Sequence, residues 1–313
     1  MDEYDEKDDE LIDAEDKMFA PIEWDSTINF KIQDLNESLY EEACRLIKRD
    51  EIEWNKKKIK KKKQEILDDA PMQTFFFCIF ISLVCSQIKI AQQPYYSQFI
   101  FPDRSQHHYF HEEPMCKSIG LINDKISVDS YLKLIKTWMM DTTSLVALSI
   151  NTGRVVGVAV TRINGDSDKT NIYERNQILT GEPLQNIMLL INEVMKQSDA
   201  YVKFGQDVCL RLYILCVHPT YKNKGVESTL LRAFVQAGRT MKLPAVGGVF
   251  TSGYMQLLAE QAGLKILSEI RYNRWIVNEA VVFDDPGKGN YSAAYMGKLI
   301  DYNEPTDKYK YDV

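Results

Sequence analysis

Two rhythms of hydrophobic and polar positions alternate along the chain from about residue 28 to residue 301. Ile28-Asn29-Phe30-Lys31-Ile32-Gln33 alternates apolar and polar, the period of a half-buried strand. Asn36 or Ser38 can then cap a helix whose apolar face holds Leu39, Ala43, Leu46 and Ile47. After a break, the pattern predicts a helix over 128–139 opened by Ser127. Strands at 145–150 and 155–163 are joined by Asn151-Thr152-Gly153-Arg154, a hairpin turn. Leu184, Ile187, Met188, Ile191 and Met195 fall at helical spacing after Pro183. Residues 209–217 are almost continuously apolar, as a central strand buried on both faces should be. A helix over 225–242, a strand over 244–250 and a helix over 252–261 stopped by Gly263 follow, and then strands near 264–272 and around 281–283. The alternation predicts an α/β (α+β) domain built on a mixed sheet.

The two tails and one internal stretch break this pattern. Residues 1–27 are acidic and read as a disordered tail, and residues 302–313 as a C-terminal tail. Between about 50 and 107 the chain holds a lysine run (56–63), Asp68-Asp69-Ala70-Pro71 and a phenylalanine-rich run (75–85). That apolar run is shorter than the roughly 20 residues a bilayer span requires. The stretch reads as a membrane-surface anchor, a nuclear-localisation signal or an insertion without function, and the third is preferred. One specific form of it is a translated intron, A-rich and then pyrimidine-rich, which transcript sequencing would decide.

Composition narrows the function. The 313 residues carry a net charge of −7, against general nucleic-acid binding. Six cysteines lack any C-x-x-C spacing, which reads as reduced thiols and not as a disulfide framework or zinc site. With an acidic start in place of a signal peptide, a cytoplasmic location is expected. His107, His108 and His111 lack a further ligand, so no metal is expected.

The densest chemistry lies at Leu215-Cys216-Val217-His218-Pro219-Thr220-Tyr221-Lys222-Asn223-Lys224-Gly225-Val226-Glu227. A buried strand ends, proline blocks its continuation, and a basic turn with one glycine opens a helix. Unpaired N–H groups and the helix dipole at such a start suit a pyrophosphate. An ordinary strand-turn-helix with solvated lysines would look the same locally.

This segment resembles the acetyl-CoA motif of the GNAT superfamily, V-x-P-x-Y-(Q/R)-x-x-G-x-(G/A). Tyr109-Phe110-His111-Glu112-Glu113-Pro114-Met115, Ser144-Leu145-Val146-Ala147-Leu148, Gly157-Val158, Phe250-Thr251-Ser252-Gly253-Tyr254 and Ala262-Gly263-Leu264 follow the order seen in insect-type arylalkylamine N-acetyltransferases. The resemblance implies a GNAT domain over 28–301, interrupted at about 50–107, with splayed central strands flanked by helices. It implies acetyl transfer from acetyl-CoA to the primary amine of a small molecule, an arylalkylamine, by a monomer. The backbone of Leu215 and Val217, beside Cys216, would pair with the pantetheine arm. Lys222, Asn223, Lys224, Gly225, Val226 and Glu227 would wrap the pyrophosphate. Glu113 matches the general base, Thr251 a proton relay to the thiolate, and Tyr254 a further catalytic position. Other readings stay open: Glu113 as a solvated acid before proline, and Thr251 or Ser252 as a helix cap.

Departures from the family pattern support an alternative, a catalytically degenerate GNAT-fold protein that still binds CoA. Glu227 stands where the family has glycine or alanine, Met255 where it has serine, and Ala259 where some members place a tyrosine acid.

Overall fold

In a computed structural model, the structure describes residues 22–24, 27, 29–48, 109–166 and 179–303. Residues 1–48 and 107–313 form one compact unit. Residues 49–106 group apart from it, and the lysine and phenylalanine runs lie outside the described residues.

The sheet has eight strands. In chain order they are β1 (Glu23–Trp24), β2 (Phe30–Asp34), β3 (Leu145–Ser149), β4 (Val155–Gly165), β5 (Val208–Val217), β6 (Ala245–Phe250), β7 (Lys265–Arg271) and β10 (Ser292–Leu299). A separate two-stranded ribbon pairs β8 (Ile276–Val277) with β9 (Ala280–Val281). The spatial order is β1-β2-β3-β4-β5-β6-β10-β7. All pairings in it are antiparallel except β5 with β6, so the mixed sheet expected from the pattern is present.

Apolar side chains cover both faces. One core joins α1 (Tyr40–Lys48), α2 (Tyr109–Glu112), α3 (Pro114–Ser118), α4 (Lys125–Met139) and α5 (Glu182–Ser198) to the sheet, around Phe110, Leu121, Ile135 and Leu190. A short helix, α6 (Ala200–Phe204), follows α5. The opposite core packs α7 (Val226–Thr240) and α8 (Gly253–Gln261) against Leu145, Ala159, Leu210 and Leu212. A Cβ on Gly157 would lie 3.0 Å from Leu230 Cδ1, so glycine lets α7 press close to β4.

Three local readings need correction. Asp124, not Ser127, opens α4: its carboxylate accepts from the N–H groups of Ile126 and Ser127, both at 3.2 Å. Around residue 281 there is only the short β9, and Phe283 is buried outside any strand. The long strand of that region is β10, which the hydrophobic pattern did not reveal.

Between β5 and β6 the sheet opens. Their parallel register holds only at Leu210–Val246, Arg211–Gly247 and Leu212–Gly248. Beyond that point Val249 and Phe250 pair with β10 alone, and residues 213–217 leave β6. A bulge in the β4–β5 pairing falls at the same level, where Val160 faces Ile214 and Thr161 faces Leu212, leaving Tyr213 over. His218 N–H donates to Val156 O on β4 at 2.8 Å. By strand alternation the main-chain groups of Val217 and Leu215 therefore turn to the open notch.

Candidate active site

The notch opens into a cavity of about 750 Å³. Its walls come from β5, β6, the turn before α7, the α2–α3 segment, α5 and the residues after β6.

Glu113 reaches this cavity because proline follows it. Pro114 takes the first position of α3, and Glu113 becomes the helix cap, with Oε2 accepting from the Cys116 N–H at 2.6 Å. The residue is 7% exposed, which removes the solvated-acid reading. Its Oε1 is buried without a hydrogen-bond partner. One oxygen is thus anchored and the other is uncommitted. Tyr109, Tyr131, Tyr272 and the Cys116 thiol surround the carboxylate. All have their pKa pushed up, first by burial and further by the negative charge of Glu113, so they stay protonated.

Across the cavity, Pro219–Tyr221 makes a tight turn, and Asn223 and Gly225 take left-handed conformations at φ 59° and 77°. Gly225 caps α7 without a side-chain acceptor. The N–H groups of Val226, Glu227 and Ser228 have no partner one turn earlier, which is the chemistry of an anion site. Lys222, Asn223 and Glu227 line the cavity with Leu215, Cys216 and Val217. Lys224, Gly225 and Val226 do not. Lys224 lies over the Tyr221 ring at 5.0 Å, and Val226 is fully buried in the α7 core.

Lys222 forms an ion pair with Glu112, tying the turn before α7 to the residue beside Glu113. Burial lowers the Lys222 ammonium pKa, and the charge of Glu227 partly restores it. Glu227 is 5% exposed, and its Oε2 has no hydrogen-bond partner although it borders open cavity space. Burial raises its pKa, while its own backbone N–H and Lys222 pull the other way. The carboxylate therefore neither points away nor forms an ion pair with Lys222.

Thr251, Tyr254 and Met255 line the same cavity. Ser252 caps α8 through the Met255 N–H at 3.2 Å, so the cap reading holds for Ser252 and not for Thr251. The Tyr254 phenol has its pKa raised by burial and then by Glu227. Ala259 is fully buried and faces the α7 side of the core, away from the cavity. Among the three histidines, His111 lines the cavity, while His107 and His108 lie outside the described residues.

The sequence reading did not single out Arg211, Tyr213, Trp138 and Arg162, which also line the cavity. Tyr213 packs against Trp138 with ring centroids 4.4 Å apart and planes tilted by 42°, and the Arg211 guanidinium carbon lies 4.4 Å from the Tyr213 ring centroid. A lone arginine in the apolar run 209–217 was the available signal.

No protein-family model matches the sequence, and no curated protein does. Solved structures do match. An insect putative arylalkylamine N-acetyltransferase 7 from the yellow fever mosquito, Aedes aegypti, superposes with a TM-score of 0.64 at 19% identity. It covers 90% of this chain and 96% of its own. Arylalkylamine N-acetyltransferase 2 from Aedes aegypti gives 0.60 at 14% identity, covering 87% and 99%. An agmatine N-acetyltransferase gives 0.50 at 19% identity, covering 61% and 89%. With the notch between β5 and β6 and the strand-turn-helix that leads into α7, these likenesses establish that the chain has the GNAT fold.

Proposed function

We propose that this chain transfers the acetyl group of acetyl-CoA to the primary amine of a small molecule, an arylalkylamine, by direct attack with Glu113 as general base. The observation that carries the reading is Glu113 itself, a buried carboxylate with one oxygen fixed by the Cys116 N–H and the other without a partner in the cavity. The GNAT fold, and the N-acetyltransferase titles of the structures that share it, supply the reaction class.

An amine of pKa near 10 arrives as an ammonium ion and must lose a proton before it can attack. Glu113 Oε1 takes that proton. The freed nitrogen attacks the thioester carbon, and the N–H of Val217 or Leu215 at the notch receives the oxyanion. When the C–S bond breaks, the second amine proton passes to the departing thiolate through the Thr251 hydroxyl. Tyr254, at the same mouth, is the other candidate donor. The unpaired edge of β5 holds the pantetheine arm, and the first turn of α7 with Lys222 and Asn223 holds the pyrophosphate. A covalent acyl-cysteine route has little support, because burial pushes the Cys216 thiol up to about 12 and Cys116 well above its usual range. A cytoplasmic location fits a reaction that draws on acetyl-CoA.

One observation favours a second reading, a CoA-binding protein that has lost catalysis: the Glu227 carboxylate lines the cavity where the pyrophosphate would lie. The deciding experiment follows free CoA release over a panel of amines, for wild type and Glu113→Gln. On the enzymatic reading, the variant loses about 100-fold or more in kcat and the acidic limb of its pH profile disappears, with acetyl-CoA affinity nearly unchanged. Acetyl-CoA binding without turnover of any amine selects the second reading. A wild-type pH profile in Glu113→Gln removes Glu113 from the chemistry.

A further inference from the structure

Arg211 lines the same cavity, four residues before Leu215 on β5 and therefore about 13 Å along the strand. It is only 6% exposed, and its Nε has no hydrogen-bond acceptor. A buried cation normally meets a carboxylate, because taking it out of water without a counter-charge costs several kcal/mol. Among the described residues Arg211 has none. Its cross-strand partner in register is another arginine, Arg162. Two arginines are therefore in register on neighbouring strands, and the acid that meets them, Asp141, is bound to Arg162. The Arg211 guanidinium lies over the ring of Tyr213, which packs against Trp138 and donates a hydrogen bond to Asn164 Oδ1 at 3.0 Å. That contact leaves the guanidinium Nε, on the edge that can fork onto a carboxylate, without an acceptor.

The cavity is thus polarised along its length. Glu113, next to the Glu112 that pairs with Lys222 beyond the end of β5, keeps an unpartnered oxygen suited to an ammonium group, and Arg211, earlier on β5, keeps an Nε–H without an acceptor. Tyr131, Trp138, Met188 and Ile191 line the same cavity and give it apolar walls against which a ring or chain can pack. We propose that Arg211 is the specificity-determining residue of this cavity, and that it selects an acceptor carrying a carboxylate at the end opposite its amine. On this proposal an α-amino acid is a poor match, because its two charges are separated by one carbon while the two protein groups lie at different levels of β5. The match is an amino acid whose amine and acid are separated by a ring or a chain. For its chemistry this rests on the acetyl-transfer reading; for its binding it does not.

The test uses the full chain and three ligands on one skeleton: 4-(2-aminoethyl)benzoic acid, its neutral amide 4-(2-aminoethyl)benzamide, and phenethylamine. Titration calorimetry needs no turnover. Wild type is expected to bind the acid at least tenfold more tightly than the amide, with a preference that salt weakens little, since a buried pair is poorly screened. In Arg211→Met the ratio should fall to about 1, and Arg211→Lys, which keeps the charge without the fork, should retain part of it. Each ratio is taken on one preparation, so partial unfolding of a variant cancels. Equal binding of acid and amide by wild type would overturn the proposal, as would a preference that survives Arg211→Met. CoA release reports separately on acetyl transfer. If wild type favours the acid in binding but no amine is turned over, the transfer reading falls and the carboxylate site stands.

Discussion

Glu227 and Glu113 are both carboxylates closed off from solvent in one cavity, yet their surroundings differ. Glu113 has the Cys116 N–H holding one oxygen, whereas Glu227 is raised by burial and only partly relieved by its own backbone N–H and then by Lys222. A phosphate brought to the first turn of α7 would meet the Glu227 charge at short range. At about 6 Å and intermediate dielectric that repulsion is roughly 1–3 kcal/mol. Glu227→Ala should therefore tighten CoA binding by about 1 kcal/mol or more, somewhat over fivefold, and added salt should narrow the gap. Calorimetric titration of both proteins at low and high salt checks this, and equal affinities at low salt would clear Glu227. The same residue sets a pH trend for the unliganded protein. Its folded pKa is raised, so the folded state holds its proton more tightly than the unfolded chain. That contribution to stability is full below the ordinary glutamate value and is lost as pH rises through the folded value. In denaturation curves taken across that window, Glu227→Gln should lack the decline. At this scale the sequence was legible through its motif, which led to Glu113, Lys222, Thr251 and Glu227. It was not legible for Arg211, because nothing in a linear run tells which face of a buried strand meets a cavity.

Single elements show a comparable division. Helices α5, α7 and α8 carry their apolar positions at helical spacing, so pattern and structure agree to within a few residues. The pattern assigns the start of α4 to Ser127, but Asp124 is the cap and Ser127 is drawn in as a donor to the same carboxylate at 2.6 Å. Strand β10 went unread because Ser292-Ala293-Ala294-Tyr295-Met296-Gly297 holds no β-branched residue. Its conformation comes from β6 and β7 on its two sides, a tertiary effect. The notch depends on β5 and β6 touching at one end only. At the last shared pair, a Cβ on Gly248 would lie 2.7 Å from the Leu212 carbonyl oxygen, a backbone atom that cannot swing away. Gly248→Ala should cost about 1–3 kcal/mol in urea denaturation and weaken CoA binding, as the two strands are forced apart too early. Unchanged stability would mean that this contact does not set the angle of the notch.

For the molecule as a whole, α1 and α2 pack against each other although some sixty residues of sequence separate them. With residues 52–106 deleted, residues 49–51 and 107–108 still join the two helices, a link that reaches about 17 Å when extended. The shortened chain is expected to fold, with a melting temperature near that of the full chain and the same CoA affinity. An insoluble product would show that the deleted stretch carries structure. Among the described residues no helix is long and apolar enough to cross a membrane. The position of β10 has a further consequence, for the order in which the protein can be made. As synthesis proceeds, β6 and β7 emerge with a gap between them that only residues 292–299 can fill. Until those residues leave the ribosome, both strands hold open edges facing each other, and a cavity wall that depends on β6 is unfinished. A nascent chain arrested at residue 290 should therefore be sensitive to protease and prone to associate through those edges. Release of some ten more residues beyond the tunnel should close the sheet in one step, the cofactor notch forming together with it.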